Sequence, residues 1–235
     1  MRHAGNVAAE VLLATGAAVR PGVTTDELDA IAHATYLAHG AYPSTVGYQG
    51  FRKSVCTSVN EVACHGIPDS RPLRDGDIVN IDVTAYIDGV HGDTSATFAV
   101  GQITPAVHAL VQTTFEATMA GIAVVRPGTP MRAIGQAIEP LASRRGFGVI
   151  SMYGGHGIGA AFHADPHVHH VDEPTATDEM FPGMAFTVEP MLTAGSTRLR
   201  QWSDGWTEVT IDGLPSAQFE HTVVVTNGKP LVLTA

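Results

Sequence analysis

Four carboxylates and one glycine-flanked histidine are the groups in this chain whose types and spacing can do chemistry. Asp82 and Asp93 flank Asp88-Gly89, a strong two-residue hairpin signal between alternating apolar and polar residues. With Asp88 and Gly89 as the loop, Ile87 pairs with Val90 and the positions of each pair sum to 177. Thr84 then faces Asp93, and Asp82 faces Ser95. Asp82 and Asp93 become diagonal neighbours on one face, with Cα atoms about 7–8 Å apart. Two carboxylates reaching toward each other from there can share one or two cations. Without a cation, like charge and burial would raise a pKa strongly.

Two more acids lie in the second half of the chain. Glu189 ends an alternating strand whose other face carries Met184, Phe186 and Val188. Glu220 shares a face with Gln218 and Thr222 in a strand over 219–225. His156 lies in Gly154-Gly155-His156-Gly157-Ile158-Gly159, read as a loop whose glycines let the backbone approach a site closely. That segment lacks the Lys-Ser/Thr of a phosphate-binding loop and the strand-to-helix setting of a dinucleotide site, which excludes both. His163 follows seven residues later, after Phe162. His167, His169 and His170 form a denser cluster and read as a solvated loop.

The elements that must bring these groups together repeat along the chain. Val19-Arg20-Pro21-Gly22 recurs as Val125-Arg126-Pro127-Gly128, an offset of 106. Residues 76–82, ending on Asp82, match 183–189, ending on Glu189, at an offset of 107. His65-Gly66-Ile67 echoes His156-Gly157-Ile158 at 91, and Asp93-Thr94-Ser95 corresponds to Glu220-His221-Thr222 at 127. Four matches in one order read as a duplication with loop insertions. Helical patterns accompany both copies. One covers roughly 4–19, and a second follows the capping box Thr24-x-x-Glu27 through Leu28, Ile31 and Leu37 to Gly40. A third covers roughly 105–124. The fourth starts at Thr129 with Pro130 in its first turn, runs through Ile134 and Ile138 to Gly146, and is kinked by Pro140. No linker separates the copies, so residues 1–235 are expected to form one domain with halves of roughly 1–103 and 104–235. A pseudo-two-fold between them would gather the four carboxylates at its axis. Such a cluster is untenable in a core without compensation, and divalent cations supply it.

Composition bounds the answer further. Hydrophobic residues make up 44% and charged residues 15%, which excludes a disordered chain. Lys and Arg number 13 against 23 Asp and Glu, a net charge of −10, so nucleic acid and anionic membrane are not expected partners. No apolar run reaches the roughly 18 residues of a membrane span, and no secretory pattern opens the chain, so a cytoplasmic location is expected. Cys56 and Cys64 are too few for a disulfide framework.

Longer motifs carry a family resemblance. Ser54-Val55-Cys56-Thr57-Ser58-Val59-Asn60-Glu61-Val62-Ala63-Cys64-His65-Gly66-Ile67-Pro68, Asn80-Ile81-Asp82-Val83 and His91-Gly92-Asp93-Thr94-Ser95 come from the first half. Gly155-His156-Gly157-Ile158-Gly159, Phe162-His163, Phe186-Thr187-Val188-Glu189-Pro190 and Ser216-Ala217-Gln218-Phe219-Glu220-His221-Thr222 come from the second. Over nearly its whole length the chain resembles the type I, bacterial-class methionine aminopeptidases. The resemblance implies an α+β pita-bread fold, with two pseudo-symmetric halves and a curved antiparallel sheet covered by helices. It implies two divalent metal ions (Co, Mn, Fe or Zn) held by Asp82, Asp93, His156, Glu189 and Glu220, with Asp93 and Glu220 bridging. It also implies Glu189 as proton acceptor, His163 as donor to the developing oxyanion and His65 as a contact to the scissile amide. Tyr48, Phe51, Cys56, Phe162 and Trp206 match the positions that line the pocket for the first side chain.

The expected reaction is removal of the N-terminal methionine from nascent proteins when the second residue is small. The expected setting is a monomer at the ribosome, with no direct nucleic-acid or membrane partner. Phe51 stands where tyrosine is common in that family, Ala160 where a larger or basic residue is common, and Ala164-Asp165-Pro166 where an acidic residue usually comes first. An Xaa-Pro aminopeptidase or prolidase on the same fold is the nearest alternative. A metal-free relative, either a binding module or a creatinase-like hydrolase, is the other. All five ligand types stand in order here, which argues against that second alternative.

Overall fold

A computed structural model describes all 235 residues, Met1–Ala235. The first half contains α1 (Arg2–Gly16), α2 (Thr25–Ala38), β1 (Tyr42–Pro43), β2 (Cys56–Val59), β3 (Val62–Cys64), β4 (Ile78–Ile87) and β5 (Val90–Ala99). Next come α3 (Pro105–Ala123), α4 (Arg132–Arg144), β6 (Gly148–Val149), β7 (Gly155–Gly157), β8 (Ala164–Val168), β9 (Ala185–Val188) and β10 (Met191–Thr193). The chain finishes with β11 (Leu199–Gln201), β12 (Glu208–Thr210), β13 (Ser216–Gln218), β14 (Glu220–Val224) and β15 (Leu231–Val232).

A nine-stranded sheet runs β1-β4-β5-β14-β9-β7-β8, with β2 also on β4 and β15 on β14. Two three-stranded sheets, β13-β10-β6 and β11-β12-β3, complete the β structure. Every strand pairing is antiparallel. Helices α1 and α2 pack together, with α1 on β4 and β5, while α3 packs on α4 and on β9, β10 and β13. Two large apolar cores result, beside a small cluster of Ala63, Cys64, Ile150 and Met191. One, including Leu28, Tyr36, Val79 and Ile81, draws only on residues 7–100. The other, including Leu110, Ile134, Phe186 and Val188, draws on residues 110–225 plus Ile78.

The β4–β5 hairpin has the register that its turn demands. Ile87 pairs with Val90, and the pairs continue without a slip to Ile78 and Ala99. Asp88 and Gly89 both take positive φ, 55° and 78°, as the mirror-image turn requires. The Thr24 capping box is also present. Glu27 N–H donates to the Thr24 hydroxyl at 3.1 Å, and Thr24 N–H donates to Glu27 Oε2 at 2.7 Å.

Four local expectations need correction. Helix α1 spans 2–16 rather than 4–19. Helix α4 starts at Arg132, because Pro130 bridges to Glu179 and Met131 N–H donates to the Asp178 carbonyl. Strand β4 runs through Asp82 to Ile87 rather than ending on the carboxylate. His156 lies on a strand, β7, and not in a loop.

The two sheet regions join at β5 and β14, where only two residue pairs are in register, Glu220 with Ser95 and His221 with Thr94. Side chains extend this short seam. The Thr94 hydroxyl donates to the Glu220 carbonyl at 2.8 Å, and Gln218 N–H donates to the Thr97 hydroxyl at 3.0 Å. The Asn80 amide donates to the Gln218 carbonyl at 2.9 Å. Short polar side chains thus satisfy backbone groups that an ordinary ladder would satisfy itself.

Candidate active site

Each carboxylate reaches the site from its own strand. Asp82 projects from β4 and Asp93 from β5, Glu220 opens β14, and Glu189 directly follows β9. His156 occupies the middle of β7. The glycines beside it are there for strand packing. A Cβ at Gly155 would stand 2.2 Å from the Thr187 carbonyl oxygen, and one at Gly157 would stand 2.0 Å from the Asp165 oxygen. No side chain fits at either position, which explains the two glycines that flank His156.

Hydrogen bonds hold the acids in place. The Thr84 hydroxyl donates to Asp93 Oδ1 at 2.8 Å, and the Thr187 hydroxyl donates to Glu189 Oε1 at 2.6 Å. The Gln218 amide donates to Glu189 Oε2 at 3.3 Å. Asp93 and Glu220 are 3% and 2% exposed, so bulk water does not compensate their charge. Nor does any basic side chain. The ion pairs of lysine and arginine go to Asp26, Asp29, Asp77, Asp172 and Glu116.

Burial pushes all four acids upward. Asp82 is raised to about 7 and Glu189 to about 8, both chiefly by desolvation. Asp93 and Glu220 are raised well above the carboxylate range by desolvation and then by the neighbouring carboxylates. Protonation or a bound cation is therefore required.

The histidine decides in favour of a cation. His156 Nδ1 lies 3.1 Å from the Gly157 carbonyl oxygen. A carbonyl only accepts, so Nδ1 carries the proton and Nε2 presents a lone pair. That lone pair faces Asp93 Oδ2 and Glu189 Oε1, each at 3.7 Å. Ligand atoms of Asp93, His156 and Glu220 all lie within 4.8 Å of one another. Lone pairs from one imidazole and several carboxylates converging on one point are the donor set of a divalent cation. Burial also lowers His156 to about 4, which keeps the ring neutral and available as a ligand at cellular pH.

The cluster forms the floor of a cavity of about 630 Å³. All twelve site residues singled out in the sequence line it. Beside the five metal-type ligands these are His65, His163, Tyr48, Phe51, Cys56, Phe162 and Trp206. His163 packs against His156 with ring centroids 4.1 Å apart. Burial and the neighbouring imidazoles lower His163 to about 3, and burial lowers His65. Tyr48 meets Phe162 at 5.0 Å, and Phe51 meets Trp206 edge-on at 5.1 Å. These rings make an apolar recess beside the acids, and burial keeps the Cys56 thiol protonated.

Several contributors were not legible in the sequence. His170 is 2% exposed, so the histidine cluster is not simply a solvated loop. Its Nε2 accepts the backbone N–H of Glu189 at 3.1 Å. His167 from the same cluster is exposed, yet it lines the cavity. Met152, Tyr153 and Gln201 line it as well. None of these lies in a repeated motif, and nothing in residue type alone singles them out.

Comparison with known proteins agrees with this donor set. Residues 1–227 match the profile of metallopeptidase family M24. The chain is 55% identical over 234 residues to methionine aminopeptidase 2 of Mycobacterium tuberculosis, covering 100% of this chain and 82% of that protein. The crystal structure of methionine aminopeptidase from Rickettsia prowazekii superposes with a TM-score of 0.97 at 44% identity, covering 100% of this chain and 95% of that one. Prolidase from Pyrococcus furiosus shares the fold alone, with a TM-score of 0.80 at 19% identity over 100% and 62% of the two chains. The fold is the α+β pita-bread fold common to these structures. A divalent-cation donor set on that fold and a profile match over nearly the whole length lead to one assignment: the chain belongs to metallopeptidase family M24.

Proposed function

We propose that this protein is a methionine aminopeptidase that removes the N-terminal methionine of polypeptides by metal-dependent hydrolysis. The observation that carries the reading is the His156 Nε2 lone pair facing buried carboxylates at the floor of an apolar cavity. Asp82, Asp93, His156, Glu189 and Glu220 would hold two divalent metal ions. Bound divalent cations supply Lewis acidity and acidify water at such a site. The oxygen-rich ligand set suits Mn, Fe, Co or Zn.

The remaining chemistry falls to the protein's own groups. Glu189, oriented by the Thr187 hydroxyl and the Gln218 amide, takes a proton from water on a carboxylate oxygen and returns it to the leaving amine. His163 is neutral at cellular pH, so it donates an N–H hydrogen bond, rather than a charge, to the oxygen that becomes an oxyanion. His65 contacts the scissile amide. Tyr48, Phe51, Cys56, Phe162 and Trp206 receive the methionine side chain and keep water from it. Sulfur–aromatic contact contributes about 0.3–1.5 kcal/mol there. We place the substrates among nascent chains with a small second residue. The enzyme would act as a cytoplasmic monomer, at the ribosome, and as one domain built from duplicated halves.

The test is cleavage of Met-Ala-Ser after exhaustive chelation, followed by return of each metal singly. Activity should vanish and be restored by at least one divalent cation. Activity that survives removal of all metal would overturn the reading.

A further inference from the structure

One buried acid takes no part in the site described above. Glu208 lies on β12 and is 4% exposed. It makes no ion pair, and the one hydrogen bond to its side chain comes from the Tyr153 hydroxyl, which donates to Oε1 at 2.9 Å. A buried carboxylate with a single neutral partner is costly, so this contact is not incidental. Tyr153 lines the cavity. Its ring meets the His65 imidazole edge-on, with centroids 5.1 Å apart and planes at 85°.

His65 needs such a support. It directly follows β3, and its φ of 56° lies in the left-handed region, which is uncommon for a residue with a side chain. The surroundings of the ring are mostly apolar. The Cys64 thiol lies 3.7 Å from Nδ1, and Trp206 stands at 6.0 Å with planes at 89°. No carboxylate or carbonyl fixes the imidazole as Gly157 fixes His156. Glu208 is also next to this segment in the sheet, because it pairs with Cys64, the residue before His65, across β3 and β12, with a register shift between Glu208 and Val209. The segment that leads into His65 and the tyrosine that packs against it are therefore tied to one residue, the first through Glu208's backbone pairing and the second through its side chain.

We infer that Glu208 and Tyr153 are positioning residues for this reaction: the Glu208–Tyr153 hydrogen bond fixes the Tyr153 ring, and that ring holds the His65 imidazole in register with the scissile amide. The inference rests on the role given to His65 under the proposed function. The Tyr153 hydroxyl does no chemistry in it. Its loss acts only through His65.

The experiment is a double-mutant cycle on the metal-loaded, full-length enzyme with Met-Ala-Ser as substrate. Y153F removes the hydroxyl and keeps the ring, and E208V removes the acceptor. Each should lower kcat about tenfold, as expected for one lost hydrogen bond that orders the transition state, with KM nearly unchanged. E208Q retains a carbonyl acceptor and should stay within about twofold of the parent, a change worth well under one hydrogen bond. In an H65A background, Y153F should produce no further loss. An equal loss from Y153F with and without His65 overturns the inference, as does an E208Q variant as impaired as E208V. Metal content and melting temperature are measured on every variant, and Y153F, being nearly isosteric, should keep both. Full activity of H65A itself would instead overturn the role given to His65, an outcome distinct from the other two.

Discussion

The Thr222 hydroxyl grips the backbone of Asp93 from both sides: it accepts the Asp93 N–H at 3.0 Å and donates to the Asp93 carbonyl at 2.8 Å. Thr222 is fully buried on β14, and Asp93 lies across the seam on β5. One hydroxyl thus replaces a ladder rung where the two strands diverge. T222V keeps the shape and leaves both Asp93 backbone groups without partners. It should cost about 1–3 kcal/mol of stability and weaken metal binding. T222S should restore most of both. Thermal melts with metal titration check this, and a T222V protein that melts and binds metal like the parent refutes it.

His170 predicts a similar effect at Glu189. Its Nε2 is the acceptor for Glu189 N–H, and the ring is buried. H170A leaves that N–H unpaired in the interior and should destabilise the protein by about 1–3 kcal/mol, with an added cavity cost. Metal affinity should fall with it, because Glu189 loses its anchor. Calorimetric metal titration distinguishes this from simple destabilisation.

His163 is expected to behave differently. It touches His156 by ring packing and contributes no metal-type contact. H163A should lower turnover about 10²–10³-fold, the usual effect of one oxyanion donor, while metal content stays nearly constant. Loss of an ion from H163A would show that His163 is itself a ligand.

Metal removal should reshape the pH dependence of stability. In the metal-free protein Asp82 is raised to about 7 and Glu189 to about 8, above their unfolded values. Acids raised in this way contribute stability that is full below about pH 4 and is lost as pH rises from there to 7 and 8. His170 is lowered to about 3 and His156 to about 4. The unfolded chain takes up those protons first, so these histidines favour unfolding as pH drops below about 6.5, against the gain from the acids. Above about pH 6.5 the histidines are neutral in both states and only the acids still differ, so chelated protein should melt lower as pH rises from about 6.5 to 8. Metal-loaded protein should lose the alkaline decline, because the cation replaces the protons. A flat alkaline profile in the chelated protein contradicts this account.

Under the proposed function, the apolar recess should set substrate choice. A charged side chain there would find no partner among Tyr48, Phe51, Cys56, Phe162 and Trp206. Met-Ala should exceed Lys-Ala by orders of magnitude, and Met over Leu by only about 1–3 kcal/mol. In a Met-X series, Gly, Ala and Ser should be cleaved well and Phe poorly. Efficient cleavage of Lys-Ala, or equal rates for Met-Ala and Met-Phe, would leave only a general aminopeptidase.

The hairpin at Asp88-Gly89 was legible because a two-residue turn leaves one register, and with it the relation of Asp82 to Asp93. The carboxylates of the second half were legible through repetition. The helix at 132–144 was misplaced because Pro130 is held by residues 178–180, a distant pairing that no local pattern reports. The glycines around His156 gave a correct sense of close backbone approach but the wrong element, since the approach is to neighbouring strands. His170, Tyr153 and Glu208 were invisible for one shared reason. Each acts through a contact to a residue 19 or more positions away, and neither type nor spacing encodes it.

Asp82 and Asp93 stand on one side of the β5–β14 seam, and His156, Glu189 and Glu220 on the other. A cation held across that line binds the joined arrangement and not the parted one. Mass action then adds RT ln(1 + [M]/Kd) to the cohesion of the molecule, about 2.7 kcal/mol at a hundredfold excess over Kd. Metal supply would thereby govern lifetime as well as rate. A cell short of the cation would hold an enzyme whose seam opens more often, and proteases acting on the open form would remove it. The amount of this protein, and not only its activity, would follow the metal.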